Sequence, residues 1–174
     1  MPEHLKPTIF VDADACPVKQ EIYRVAARYG LLVRVVSNSW MRIPDSDRIE
    51  LEVVEKGEGV ADDWIAEHSG PGDIVVTGDI PLASRCLKNG SAVLGNTGRP
   101  FTEDNIGDVL ATRNLFADLR EQGMTIRGPS PMSGPDRSRF LQAMDVLVNK
   151  LLRDAIRKAG APQGTPAEPV RTLR

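Results

Sequence analysis

Residues 9–22 read IFVDADACPVKQEI, an apolar run that breaks without any turn residue into two aspartates, Asp12 and Asp14, before a proline. A continuous apolar run, as opposed to an alternating one, is the pattern of a strand covered on both faces in a parallel sheet, so a strand is predicted over 8–13. A helix follows. Pro17 suits its first turn, Val18, Ile22, Val25, Ala26 and Tyr29 share one apolar stripe, and Gly30 stops it. An ionised carboxylate without partners is costly to bury. The two aspartates at the end of this strand must therefore be solvated, capping a helix or bound to a metal.

The same grammar repeats downstream. A strand is predicted at 31–37 (LLVRVVS), a third around 49–54, a helix at 59–68 (GVADDWIAEH in its core), a strand at 72–79 (GDIVVTGD), a helix over IPLASRCLKNG and a strand over SAVLGN. Strands alternating with helices through short connections give an α/β fold: a mostly parallel central sheet, here of four to five strands, with helices on both faces. Beyond NTGRPFT the pattern turns helical, over 103–122 and again over 136–158. Between them GMTIRGPSPMSGPDRSR, rich in Gly, Pro and Ser, reads as an ordered surface loop or short hairpin. The domain expectation is a flexible N-terminus at 1–7, one domain at 8–159 and a disordered tail at 160–174.

Composition narrows the class. The chain has 174 residues, 41% of them apolar, enough for one domain with a sizeable core. No apolar stretch approaches the ~20 residues that span a bilayer, and MPEHLKP lacks the layout of a secretory signal, so a cytoplasmic location without membrane contact is expected. Cys16 and Cys86 form no CxxC or Cys/His cluster, which argues against a zinc site or a disulfide framework. The net charge of −2 is unevenly spread: residues 1–98 hold 10 Lys/Arg against 15 Asp/Glu, and 99–174 hold 12 against 9. An acidic half beside a mildly basic one suits a metal site next to an anionic substrate.

In open α/β sheets ligands bind outside the carboxyl ends of the strands. Asp12, with Asp14 two residues on, closes the first strand. Asp79 follows IVVTG, and Asp62 and Asp63 lie in the first turns of the helix between them. Such an oxygen-only set suits Mg²⁺ or Mn²⁺, held by Asp12, Asp14, Asp62 and Asp79, and the implied chemistry is metal-assisted phosphodiester hydrolysis. Each residue also has a plainer role. Asp14 and Asp79 precede helices with a proline in the first turn and suit N-caps, while Asp62 and Asp63 complement a helix dipole. Successive helical residues point ~100° apart, so at most one of Asp62 and Asp63 faces the sheet edge.

The stretches VVTGDIPLA (75–83) and ADDWIA (61–66) resemble two PIN-domain motifs, a buried strand ending Thr-x-Asp and an Ala-Asp-x-x-Ile helix. With VDADACPVKQEI, GVADDWIA and the late GPSPMSGPDRSRFLQAMD (128–145), they resemble the bacterial YaiI/YqxD family of the PIN-like superfamily over about residues 8–153. The resemblance implies a three-layer PIN-like fold, with Asp12, Asp62 and Asp79 matching the acidic residues of a Mg²⁺- or Mn²⁺-dependent nuclease. It also implies a nucleic-acid partner, RNA ahead of DNA, and leaves self-association open. The usual PIN glutamate has no clear counterpart. Glu21, Glu55 and Glu58 are the nearest candidates, and Asp14 and Asp63 are extra acids.

Around this core Thr77, Asn38 and Lys19 are auxiliary candidates, for contact with a phosphate or a bound water or for offsetting charge, and Arg99, Arg137 and Arg139 are candidates for a nucleic-acid backbone. Two other classes fit parts of the pattern. A strand ending Asp-x-Asp also presents the nucleophile and general acid of haloacid-dehalogenase-type phosphatases, and the acidic pocket could serve a non-catalytic metal- or nucleic-acid-binding protein.

Overall fold

In the computed structural model, which describes residues 2–124 and 131–160, the predicted alternation closes into one sheet. Its strands are β1 (Ile9–Asp12), β2 (Val33–Ser37), β3 (Ile49–Val53), β4 (Ile74–Val76), β5 (Ala92–Leu94) and β6 (Pro100–Phe101). The helices are α1 (Lys19–Tyr29), α2 (Val60–His68), α3 (Ile80–Lys88), α4 (Glu103–Glu121) and α5 (Gly134–Gly160). The strand order is β3-β2-β1-β4-β5-β6, parallel throughout except for the antiparallel β5–β6 pair. The sixth strand exceeds the expected four to five. It is only two residues long and one of them is proline, so no run of apolar residues announces it.

Adjacent residues of β1 point to opposite faces, and both faces are dry. Ile9 and Val11 meet Ile22, Val25 and Val18 of the α1 segment and Phe140, Met144 and Val148 of α5. Phe10 meets Ile65 of α2, Leu82, Ala83 and Cys86 of α3, and Phe101. This three-layer packing explains the unbroken apolar runs, because a central strand of a parallel sheet has no wet face. Ile9, Val11, Val33, Val35, Ile74, Val75 and Val76 are all fully buried.

Two helix boundaries have local causes. Gly30 caps α1 in the left-handed conformation (φ 64°), which returns the chain into β2. The start of α1 differs from the sequence expectation. Pro17 does not open it; residues Ala13–Ala15 form a separate 3-10 turn, and the helix begins at Lys19 with Val18 as an N-cap that has no side-chain hydrogen bond. Lys19 instead donates to the Ala13 and Cys16 carbonyls at 3.1 and 2.9 Å, closing that turn. The N-terminal residues carry a further 3-10 turn at Glu3–Leu5, and Arg48 bridges to Glu3 at 3.0 Å. The expected tail beyond Gly160 and the middle of the Gly/Pro/Ser-rich link lie outside the described residues.

The β5–β6 turn is fixed from two sides. Gly95 N–H donates to the Arg99 carbonyl at 2.8 Å, and Gly98 (φ 84°) lies so close to the start of α5 that a Cβ there would stand 3.1 Å from Arg139 O and Phe140 Cα. Gly98→Ala therefore combines left-handed strain with a backbone clash and is expected to cost about 1–3 kcal/mol. Urea unfolding monitored by far-UV circular dichroism would measure that loss against wild type.

Candidate functional site

The sheet reverses its winding between β1 and β4: β2 and β3 extend to one side of β1, while β4, β5 and β6 extend to the other. Loops leaving the carboxyl ends of β1 and β4 diverge there, which opens the crevice in which such folds bind ligands. A cleft of about 700 Å³ lies at this point, and Asp12, Asp14, Asp62 and Asp79 all line it. These four carboxylates, from three chain segments, thus share one cavity.

Each is held differently. Asp12 ends β1 and is half-buried, and its Oδ2 accepts a 2.9 Å hydrogen bond from Thr77 Oγ1. Thr77 is buried and its hydroxyl oxygen in turn accepts from Asp79 N at 3.0 Å, so one side chain ties the end of β1 to the loop after β4. Asp79 caps α3, accepting from Leu82 N at 3.0 Å. Asp14 is no cap. Its Oδ1 accepts from Ser37 Oγ at 2.9 Å and its Oδ2 from Asn38 N at 3.3 Å, which fastens the 3-10 turn to the end of β2. Asp62 lines the cleft from the first turn of α2 and accepts no hydrogen bond among the described residues. Asp63, one residue on, points away to Arg85 at 2.7 Å, as the helical pitch requires.

Burial is the main cause of raised pKa values at both Asp12 and Asp62. For Asp12 the Thr77 hydrogen bond opposes the shift, and the charges of Asp62, Asp79 and Asp14 add to it. For Asp62 the Asp79 charge adds and Arg85 subtracts. The N-terminal end of α2 favours the ionised form of Asp62; desolvation and the neighbouring carboxylate outweigh it. The cleft thus gathers more carboxylates than basic side chains among the described residues.

Its donor set is all oxygen, the chemistry that hard divalent cations prefer. Among the described residues, however, no three His, Cys, Asp or Glu side chains stand close enough together to hold a metal ion between them. At most two of these carboxylates could therefore bind one ion directly, the others reaching it only through water.

The remaining candidates separate. Asn38 lines the cleft; Lys19 does not, being committed to its own turn. Arg137 is turned inward, donating to the Pro17 carbonyl at 2.8 Å and to Glu21 at 3.4 Å, and Arg139 pairs with Asp136. Arg99 is exposed on the β5–β6 turn, away from the carboxylates. Of the three glutamates, Glu58 lines the cleft, beside Gly57 and Gly59. Arg113 of α4 also lines it and carries no signal in sequence, because it stands among exposed polar residues of a helix far along the chain.

A mostly parallel, three-layer α/β domain with a carboxylate cleft at its switch point is the class that fold and site define. Residues 10–150 match the family described as uncharacterized BCR, YaiI/YqxD, and the chain belongs to it. It is similar to a UPF0178 protein of Caulobacter sp. (strain K31), 57% identical over 145 residues that cover 83% of this chain and 96% of the relative. A UPF0178 protein of Caulobacter vibrioides (strain NA1000 / CB15N) is 56% identical over 150 residues, 86% and 98% of the two chains. One of Rhodopseudomonas palustris (strain HaA2) is 50% identical over 163 residues, 94% and 99%. No solved structure shows significant similarity to it. Among the described residues no helix is long and apolar enough to cross a membrane.

The raised pKa of Asp12 has a sign that can be checked. A native state with a raised carboxyl pKa holds its proton to higher pH than the unfolded chain, so the stability this group contributes is full below the ordinary carboxylate range and falls as pH climbs through the raised value. Asp12→Asn cannot ionise. Its unfolding midpoint in urea, measured with EDTA present, is expected to rise relative to wild type between pH 4 and pH 7.

Proposed function

We propose that this protein is a metal-dependent phosphodiesterase of PIN-like type, a nuclease acting on RNA or on single-stranded or structured nucleic acid. The observation that carries this reading is the convergence of Asp12, Asp14, Asp62 and Asp79 on one cleft that Arg113 also lines. When bound, Mg²⁺ or Mn²⁺ supplies Lewis-acid polarisation of a phosphodiester and neutralises charge that develops on it. Asp12 and Asp79, linked through Thr77, form the fixed part of the cation's seat, and Asp14, held by Ser37 and Asn38, stands beside them. Asp62, without a hydrogen-bond donor and with a raised pKa, is the carboxylate best suited to move and to accept a proton from an attacking water. Arg113 supplies the positive charge for a phosphate oxygen that the carboxylates would otherwise repel.

The dehalogenase-type alternative needs Asp14 as a mobile general acid. Both of its oxygens already accept hydrogen bonds from the end of β2, which ties it down. That reading is the weaker one.

Two measurements on Asp12→Asn test the proposal. Cleavage of labelled single-stranded RNA and DNA in Mn²⁺ or Mg²⁺ is expected to fall by about 100-fold or more. The rise in Tm that either cation gives the wild type is expected to disappear. Equal cleavage by both proteins would sink the assignment. A cation-dependent Tm rise without cleavage of either nucleic acid would instead favour a non-catalytic metal-binding protein.

A further inference from the structure

A second cavity, of about 590 Å³, opens beside the carboxylate cleft. Ala15 and Gly78 line both, so the two adjoin at a pair of small residues just beyond the carboxyl ends of β1 and β4. Their chemistry is opposite. Among the described residues no Asp or Glu lines the second cavity; its walls are largely apolar, among them Pro17, Phe101, Val109 and Met132, and Arg99 is the one charged residue of that set.

Building on the phosphodiesterase reading, we propose that this second cavity binds the base of the nucleotide whose phosphate lies in the cleft. A nucleobase has apolar faces and a hydrogen-bonding edge, and it attaches to its phosphate through a short sugar linker. A mostly apolar pocket with one guanidinium, opening directly onto an acidic cation-binding cleft, presents the complementary layout. A simple phosphoester would use the cleft and leave the pocket empty.

The pocket is also built in advance. Asn96 donates to the Ala15 carbonyl at 3.1 Å, which fastens the β5–β6 turn to the turn that carries Asp14. Gly98 seats the same turn against the backbone of α5. Gly78 leaves room for the Asn96 amide: a Cβ there would meet Asn96 Nδ2 at 3.0 Å. A preformed site spends little binding energy on ordering itself.

The test compares ligands that share a phosphate and differ in the base. Nucleoside 5′-monophosphates and ribose 5-phosphate are titrated into the ¹⁵N-labelled full chain with Mg²⁺ present. The nucleotides are expected to bind about tenfold or more tightly than ribose 5-phosphate and to shift the amides of Gly95, Phe101 and Val109, which ribose 5-phosphate leaves in place. Arg99→Ala, at an exposed position, and Val109→Trp, which fills the pocket, are each expected to reduce the preference to below threefold. Equal affinity for the two ligand types, or nucleotide shifts confined to the carboxylate cleft, would overturn the proposal. Binding does not depend on turnover. A wild type that cleaves no nucleic acid yet keeps the base preference would refute the phosphodiesterase reading and still support the pocket.

Discussion

The Thr77 hydroxyl sits where the sheet reverses its winding, and the geometry of the cleft follows from what it does there. It donates to Asp12 at 2.9 Å and accepts from the Asp79 backbone at 3.0 Å, joining the ends of two strands whose following loops leave in opposite directions. With Thr77 buried, this hydroxyl cannot fall back on solvent, so its two bonds are enforced by the cost of leaving them unmade. The rotamer of Asp12 and the start of α3 are thereby set together. A serine could make the same bonds, but its unbranched side chain would be less restrained at χ1.

The carboxylates around this centre illustrate a competition between capping and ligation. Asp79 and Asp14 are each stabilised by backbone or hydroxyl donors, which lets the chain gather acids at one edge without a cation during folding. Asp12 has one oxygen satisfied, and Asp62 has none among the described residues. Both have raised pKa values, with desolvation as the largest cause. Hydrogen bonding thus supplies folding stability at Asp79, which caps α3, and at Asp14, which fastens its turn to β2, and leaves Asp12 and Asp62 with fewer donors.

How far the sequence discloses this can be seen residue by residue. The continuous runs at Ile9–Val11 and Ile74–Val76 and the stripe from Val18 to Tyr29 foretell strands and helix because burial on both faces permits nothing else. The helical pitch separates Asp62 from Asp63, and the pairing of β2 with β1 brings Asn38 to the same edge as Asp12. What stays hidden is whatever depends on long-range placement. Pro17 fits a first helical turn by local rules, yet a 3-10 turn precedes the helix, because Asp14 is drawn to Ser37 and Asn38 of another strand. In α4 the periodicity groups Leu115 and Phe116 with Ile106, Val109 and Leu110. Only the latter three pack against α3 and the sheet, while Leu115 is 57% exposed. Arg113 reaches the cleft by tertiary geometry alone.

The edge therefore divides into two chemically distinct halves that meet at Gly78. On one side an excess of carboxylates favours cations and, without them, repels anions; on the other, a largely apolar pocket with Arg99 and, among the described residues, no acid favours a flat, weakly polar group. A ligand that spans both must be anionic at one end and apolar at the other, with a connection short enough to cross two small residues. The cation and the apolar group would then contribute to binding through independent terms, one sensitive to salt and to divalent ions and the other to neither. On the phosphodiesterase proposal, that separation would let one cleft hold the phosphate while the neighbouring pocket selects the nucleotide that presents it.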